Sequence, residues 1–259
     1  DILAAIGAVA LASDVTLTIT GVDEVNINDL QTMNAATSGA VVLNAATNAA
    51  AFTDTAANLI SAFTGITSHT GKLTVGDTNP VTAADLNTIF TFTAVVAPEA
   101  LATSEITGSA TDIVTAIGSI TYDPNVTLTI TGTTPATVAE LIAINAATSG
   151  TVVLNPETIA QNYGDTAANL AAAFTGITSF EGGLNLNDTG SILATDVFDI
   201  SSLTSGATTA NLTSHITGSS AEIVSAIGAV SFSPDVTLAI TGNDPATVAE
   251  LMTINATTS

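Results

Sequence analysis

Short runs of alternating apolar and polar residues predict β-strands along the chain. The clearest run is residues 126–131, Val-Thr-Leu-Thr-Ile-Thr, in which Val126, Leu128 and Ile130 share one face and the three threonines share the other. Successive side chains of a strand point to opposite faces, and threonine is β-branched and tolerates exposure. The pattern therefore predicts strands with one buried side and one side facing solvent.

Other stretches carry apolar residues at the spacing of a helix face. Two of them are the stripe of Ala56, Leu59, Ile60 and Phe63, and the shorter stripe of Ile113, Ala116 and Ile117. Three helix starts fit the capping box, in which a hydroxyl and a carboxylate three residues apart satisfy orphan backbone amides; they are Thr137 with Glu140, Ser219 with Glu222, and Thr247 with Glu250. We expect helices of two to three turns, which are marginal when isolated and need neighbours to pack against.

The chain repeats itself. Residues 1–21 return as residues 112–132, a shift of 111, and again as residues 222–242, a shift of 110. NAATSG followed by VVLN, first seen from Asn34, recurs from Asn145, and DTAANL recurs from Asp54 to Asp165. We therefore divide the chain into copy 1 at 1–111, copy 2 at 112–221 and a partial copy 3 at 222–259.

Each copy divides into four coils, a coil being a strand, a turn, a second strand and a short helix, with a mean length near 28 residues. In copy 2 the predicted strands are Ser119 to Tyr122, Val126 to Thr131, Val152 to Leu154, a segment around Ile159, Ile177 to Phe180, Leu184 to Asn187, and Asn211 to Thr217. The predicted helices begin near Thr137, Asp165, Thr195 and Ser219, and the predicted turns are Asp123-Pro124-Asn125, Asn155-Pro156-Glu157 and Glu181-Gly182-Gly183.

This pattern predicts an α/β solenoid of about nine coils, with parallel β-sheets along its axis and one short helix per coil. Strands that are linked through helices and stacked in constant register pair in parallel with their counterparts in the next coil. No single coil can bury its apolar face, so we expect the copies to form one continuous solenoid.

Composition narrows the possible functions. The 259 residues include 23 Asp and Glu but a single Lys or Arg, Lys72, which gives a net charge of −22. Nucleic acids and anionic membrane surfaces are bound through Lys and Arg, so both are excluded as partners. The chain has no cysteine, which removes disulfides and thiolate sites. No apolar stretch reaches the length of a membrane span and no signal peptide is present, so we expect a piece of a longer protein.

Residues that could carry chemistry are few. His69 and His215 correspond to Phe180 and Glu105 in the other copy, so neither recurs, and we interpret both as isolated surface histidines without a ligand or catalytic role. Lys72, which corresponds to Gly183, reads as a solvated loop residue. Catalytic motifs such as GxSxG, HExxH and a phosphate-binding loop are missing. We therefore assign no catalytic, cofactor or metal residue and predict that the chain is not an enzyme.

Four acidic positions do recur between copies: Asp54 with Asp165, Asp77 with Asp188, Asp85 with Asp196, and Glu140 with Glu250. Their contexts are helix starts and turns, which favours roles in N-capping and turn formation. Calcium binding is the alternative, because carboxylate and carbonyl oxygens suit a hard cation. The stretch Gly182 to Asp188 is similar to the turn of calcium-binding nonapeptide repeats, but their tandem nine-residue period is missing.

Threonine rows at Thr16 to Thr20 and Thr127 to Thr131 raise ice binding as a further possibility, although Ala239 interrupts the row in copy 3 and Asn185 and Asn187 stand in a neighbouring coil. The phrases Asp165-Thr-Ala-Ala-Asn-Leu-Ala, Ala136-Thr-Val-Ala-Glu-Leu and Val126-Thr-Leu-Thr-Ile-Thr resemble the Ala- and Thr-rich repeats of very large bacterial surface proteins, including cyanobacterial ones. The resemblance covers essentially the whole chain. It implies export, a place at the cell surface or in an extracellular fibre, and a role in adhesion, matrix or sheath.

These observations predict a structural segment of an extracellular fibre or adhesin that serves as rod, spacer or matrix element. Neighbouring copies of the same protein are the expected partners, through filamentous or lateral self-assembly. A calcium- or glycan-binding adhesion module is the first alternative. An ice-binding or polysaccharide-active solenoid is the second.

Overall fold

The computed structural model of the chain is an α/β fold with several parallel sheets. It describes residues 2–8, 11–66, 69–93, 95–210, 215–233 and 235–257. The described residues form 12 helices: α1 Ile2–Ala8, α2 Ile27–Ala35, α3 Ala45–Ala49, α4 Ala56–Phe63, α5 Ala83–Phe90, α6 Ala110–Ile117, α7 Val138–Ala147, α8 Pro156–Ala160, α9 Ala167–Phe174, α10 Ala194–Ser201, α11 Ser220–Ala229 and α12 Val248–Thr257.

They also form 17 strands, all of them short: β1 Leu17–Thr18, β2 Val41–Val42, β3 Phe52–Asp54, β4 Leu73–Val75, β5 Val81–Thr82, β6 Glu99–Ala100, β7 Glu105–Gly108, β8 Thr121–Tyr122, β9 Thr127–Ile130, β10 Val152–Val153, β11 Tyr163–Asp165, β12 Leu184–Leu186, β13 Ser191–Leu193, β14 Thr208–Ala210, β15 His215–Gly218, β16 Ser231–Phe232 and β17 Thr237–Ile240. Strands of two to four residues are stable only as members of a larger sheet.

Two compact units make up the chain. Unit 1 is Asp1–Thr129 with Thr148–Gly150, and unit 2 is Ile130–Ala147 with Thr151–Ser259. In unit 1, β3, β4, β6 and β8 form one parallel sheet, in which Phe52 pairs with Leu73 and Thr74 pairs with Glu99. Two further parallel pairs in this unit are β1 with β2, and β5 with β7.

Unit 2 contains two parallel sheets. One has the strand order β11-β12-β14-β16, and the other has the order β13-β15-β17. Tyr163 pairs with Leu184, and His215 pairs with Thr237. In both units, each strand therefore pairs with a strand that follows it after roughly one predicted coil of sequence, and the prediction of parallel sheets is confirmed.

Helices pack against the next long helix in the sequence. In unit 1, α2 packs on α4, α4 on α5, and α5 on α6; in unit 2 the order is α7, α9, α10, α11 and α12. Most of the long helices bury the same kind of stripe, whereas α12 buries Ile254 alone. In α4 the stripe is Ala56, Leu59, Ala62 and Phe63, with Leu59 and Phe63 fully inaccessible to solvent. Full burial of a Leu or Phe side chain contributes roughly 1.5–3 kcal/mol, so these contacts supply most of the stability of helices this short.

The three predicted capping boxes are confirmed. The Thr137 amide donates to the Glu140 carboxylate at 2.8 Å, and the Glu140 amide donates back to the Thr137 hydroxyl at 3.2 Å. The same reciprocal pair joins Ser219 with Glu222 and Thr247 with Glu250. Burial also alternates along β9 as predicted, with Leu128 and Ile130 buried and Thr127 and Thr129 half-buried.

One predicted turn and strand are wrong. The segment at Asn155-Pro156-Glu157 and around Ile159 forms the short helix α8 instead. Asn155 caps this helix by accepting a hydrogen bond from the Thr158 amide, and Pro156 occupies the first turn, where its fixed φ suits a helix and its missing N–H is not needed. The second strand of this coil begins only at Tyr163. The coil therefore carries a helix in addition to the one predicted for it, and α3 occupies the equivalent place in copy 1.

A second predicted strand is also wrong, and other strand boundaries differ by a few residues. Ile177 to Phe180 is not a strand, although Ile177 and Phe180 are buried, and Ser119 to Tyr122 is a strand only at Thr121–Tyr122. Residues 211–214 of the predicted strand at Asn211 to Thr217 lie outside the described residues, and the remainder falls in β15. Strand β13, at Ser191–Leu193, is not anticipated by the alternation pattern.

A Thr-Ser-Gly turn brings successive segments of backbone into close contact at three places: Thr37 to Gly39, Thr148 to Gly150, and Thr204 to Gly206. The Thr204 hydroxyl donates to the Gly182 carbonyl at 2.6 Å and accepts from the Gly206 amide at 2.8 Å. A Cβ atom at Gly206 would lie 2.6 Å from the Gly182 carbonyl oxygen and nearer still to that of Glu181. Glycine is therefore required here for close approach of two backbones.

Replacing Gly206 with alanine should lower the free energy of unfolding by about 1–3 kcal/mol, because the two backbones must move apart to admit the methyl group. Gly190→Ala is the matched control in the same unit, since a Cβ there meets no atom within 4 Å. Urea unfolding curves measure both changes. Equal midpoints for the two variants would contradict the close approach at Gly206.

Candidate functional site

Asparagine side chains join one segment of backbone to the next at equivalent places in the two copies. In copy 2, Asn155 donates two hydrogen bonds of 3.0 Å from its Nδ2, to the carbonyls of Gly132 and Thr134. Its Oδ1 accepts from the Thr158 amide at 3.1 Å. Asn44 does the same in copy 1, with Gly21, Asp23 and Thr47 as its partners. We call each such asparagine, with the loop that it holds, an Asn clamp.

A buried threonine completes each clamp. Thr158 is fully buried, and its hydroxyl accepts a 2.8 Å hydrogen bond from the Ala136 amide, 22 residues earlier. Thr47, equally buried, accepts from the Val25 amide at 3.0 Å. In copy 2 the Tyr163 hydroxyl adds a 2.7 Å hydrogen bond to the Ala136 carbonyl. These bonds satisfy loop backbone groups that sheet and helix pairing leave open.

Two pairs of recurring aspartates lie at helix starts. Asp77 accepts a 2.6 Å hydrogen bond from the Ala56 amide at the first turn of α4, and Asp188 accepts a 2.9 Å bond from the Ala167 amide of α9. Each aspartate lies 21 residues after the amide from which it accepts, so it caps a helix of the preceding segment. Asp54 and Asp165 each accept a hydrogen bond from the amide of the next residue. Each also accepts one from an asparagine side chain, Asn58 on α4 and Asn169 on α9 respectively.

The remaining recurring acids also lie in first turns. Asp85 donates its own amide to the Thr82 hydroxyl, whereas Leu193 replaces that threonine in copy 2 and provides no side-chain cap for the helix of Asp196. Hydrogen bonds from Ser219, chiefly from its backbone amide and secondly from its hydroxyl, hold the pKa of Glu222 below its usual value. Thr247 lowers the pKa of Glu250 in the same way. Their stabilising effect is present above the unfolded-state pKa and is lost as pH falls through the folded-state pKa.

The interpretation of His69 as a surface residue is wrong. Its side chain is fully buried, with ring centroids 4.8 Å from Phe63 and 5.6 Å from Phe52. A sequence cannot reveal this burial from His69 itself, but the equivalent residue, Phe180, also lies in an aromatic cluster and supplies the signal. His215 is exposed, as expected. Lys72 is partly exposed and pairs with Glu99 at 2.6 Å, a surface ion pair of small energetic effect.

In the described part of the chain, the recurring acids lie at helix starts, and His69 and Lys72 lie apart from them in an aromatic cluster and a surface ion pair. Among the described residues, no group of three or more His, Asp or Glu side chains is arranged to hold a metal ion. A groove in unit 2, of about 500 Å³, is lined by Ile177, Phe180 and Leu203 together with hydroxyl residues, and Glu181 is its one titratable side chain. Such a lining offers no acid–base pair.

Outward polar side chains on the strands bond to one another. The Thr209 hydroxyl donates to Asn185 at 2.8 Å, and Asn185 donates to Asn187 at 2.9 Å. In unit 1 the Thr129 hydroxyl donates to Glu105. The threonine rows thus alternate with amide and carboxylate groups rather than forming one uniform hydroxyl array.

Sequence reasoning missed the clamp residues. The sequence predicts Asn155 only as a turn residue and indicates no role for Asn44, Thr47, Thr158 or the three Thr-Ser-Gly turns, although most of them lie in or next to the NAATSG and VVLN phrases that recur between copies. Recurrence of small polar residues at fixed offsets was the available signal.

Comparison of the chain with protein-family models, with curated proteins and with solved structures gives no match. Separately, none of the helices in the described ranges is long and apolar enough to cross a membrane.

Thr158→Val should destabilise unit 2 by about 1–3 kcal/mol, because the isosteric valine leaves the buried Ala136 amide without an acceptor. Thr115→Val is the control, since Thr115 is exposed on α6 and bonds only to its own helix. The free energy of unfolding from urea titration measures both. A loss for Thr158→Val no larger than that of the control would contradict the clamp.

Proposed function

We propose that the chain is a structural segment of an extracellular fibre or surface adhesin, in which it serves as rod, spacer or matrix element rather than as an enzyme. The architecture that we propose is a continuous solenoid of about nine coils, four to each copy. The start-to-start spacing of the long helices supports it: from α2 to α12, leaving out the five-residue α3 and α8, consecutive helices begin 26 to 29 residues apart. Each of these helices fits one coil.

A single observation carries the structural role. The asparagine and threonine of each Asn clamp, and the capping residues Asp77 and Asp188, bond to neighbouring segments of the same chain through hydrogen bonds that span 21 to 23 residues. Residues that act on a substrate must keep donors, acceptors or charges open to it. Here these asparagines, threonines and aspartates join one segment of backbone to another. Such bonds suit an element that withstands tension or acts as a spacer.

Composition and the resemblance to surface repeats support the extracellular setting. A net charge of −22, with Lys72 as the one basic side chain, keeps parallel molecules apart at low salt. Close lateral assembly would then depend on screening or on a bridging cation. The partners that we propose are further copies of the same protein.

The solenoid predicts a fixed gain in length for each copy. Coils stacked at the spacing of parallel strands, about 4.8 Å, extend the molecule by about 19 Å for every four coils. Versions of the chain with two, four and six tandem copies should therefore show a maximum dimension in small-angle X-ray scattering that rises linearly by this amount per copy, at constant cross-section.

A maximum dimension that grows as the cube root of mass, with a widening cross-section, would contradict the solenoid. Alanine at Gly150 and at its equivalents in every copy of the longest version, Gly39 among them, provides a control. It should reduce thermal stability while the length per copy of the folded molecule stays the same.

A further inference from the structure

Unit 1 contains one buried titratable group that the structural role does not use. His69 lies between β3 and the end of α5, where it forms an isolated parallel bridge with Thr93, and it contacts the rings of Phe52 and Phe63. Phe92 extends this cluster, with its ring centroid 6.3 Å from that of Phe63. Neither nitrogen of His69 has a hydrogen-bond partner within the described residues.

The equivalent cluster in unit 2 is formed by Tyr163, Phe174 and Phe180, with Phe180 in the place of His69. The two clusters share a backbone setting and differ at two ring positions, since Tyr163 also stands where unit 1 has Phe52. Burial raises the pKa of Tyr163 above its usual 10, so His69 is the ring that gains a proton in acid. The exchange of His69 for Phe180 gives the molecule an internal comparison for the effect of a proton at this position.

We propose that His69 makes unit 1 sensitive to acid: protonation of its ring opens the cluster of Phe52, Phe63, His69 and Phe92, while the cluster of unit 2 stays closed. The imidazolium would lie in an apolar pocket with no acceptor for either N–H among the described residues. Burying an unpaired charge costs more free energy than a cation gains from contact with aromatic rings.

Titratable groups on the surrounding elements are engaged elsewhere. Asp54 on β3 accepts hydrogen bonds from Thr55 and Asn58 at the start of α4. Lys72, just before β4, pairs with Glu99 on β6. Asp77, after β4, caps α4, and Asp85 lies in the first turn of α5, at the opposite end of that helix from Phe90. None of these groups forms a hydrogen bond with His69 to offset its charge.

Burial lowers the pKa of His69 to about 4 from its usual 6.5. Because the closed cluster disfavours the charged ring, His69 binds a proton more readily when the cluster is open. The contribution of His69 to stability is therefore complete above pH 6.5, falls as pH drops from 6.5 towards 4, and changes little below 4.

Amide hydrogen exchange tests the proposal within one molecule. After correction for the intrinsic pH dependence of exchange, the opening constant of α4 and β3 should rise relative to that of α9 and β11 as pH falls from 6.5 to 4. The pKa of His69 differs by about 2.5 between the open and the closed cluster, which corresponds to a rise of the opening constant by up to roughly 300-fold. In the His69→Phe variant, which restores the residue of unit 2, this relative rise should disappear.

Two further measurements keep the test decisive. Phe180→His should transfer the acid sensitivity to α9 and β11. In a His215→Gln background, the NMR signal of the His69 ring should titrate near pH 4. An unchanged pH dependence in His69→Phe, or a His69 ring that titrates between pH 6 and 7, would overturn the proposal.

Discussion

Contact between chain segments about one coil apart holds each unit together. A strand of two to four residues and a helix of two turns are unstable alone, and each buries its apolar side only against the equivalent element of the next segment. Leu59 on α4 and Leu170 on α9 illustrate this dependence, since both are fully buried on helices that pack against the helices before and after them. Parallel pairing of the strands is a consequence, because each segment runs in the same direction as the one before.

Apolar burial alone does not fix which residues face each other, since a strand pair can slip in register. In this chain the register is set by small polar side chains that bond to backbone about 21 to 27 residues away. Asn155 and Thr204 each satisfy groups on two segments at once. Such bonds need neither cysteine nor many charged pairs. They explain how a chain without cysteine and with one basic residue keeps a defined strand register.

Much of the local structure can be predicted from the sequence, because the signals are themselves local. The alternation at Val126 to Ile130 and the capping pair of Thr137 with Glu140 depend on residues within six positions of each other. The helix at Pro156–Ala160 could not be predicted in this way, because it begins at a cap, Asn155, that also reads as a turn residue. His69 is buried against Phe52 and Phe63, and the local pattern around His69 does not reveal this; the signal lies 111 residues away, at its equivalent Phe180.

The acidic residues show why recurrence alone does not identify a site. Asp77 and Asp188 recur because helices α4 and α9 both need an acceptor at their first turn. A capping role and a ligand-binding role would leave the same recurrence in a repeat, so recurrence by itself does not separate the two.

Pulsed dipolar spectroscopy on one pair of spin labels tests the proposed solenoid, in which successive copies stack on one another, most directly. Because the chain has no cysteine, Thr121→Cys and Ser231→Cys label two exposed, equivalent positions in successive copies, 110 residues apart, without side reactions. Four strand spacings separate equivalent positions in a solenoid, so the distance distribution should centre near 20 Å, widened by about 10 Å through the label linkers. A narrow distribution centred beyond about 40 Å would contradict the stacking of successive copies.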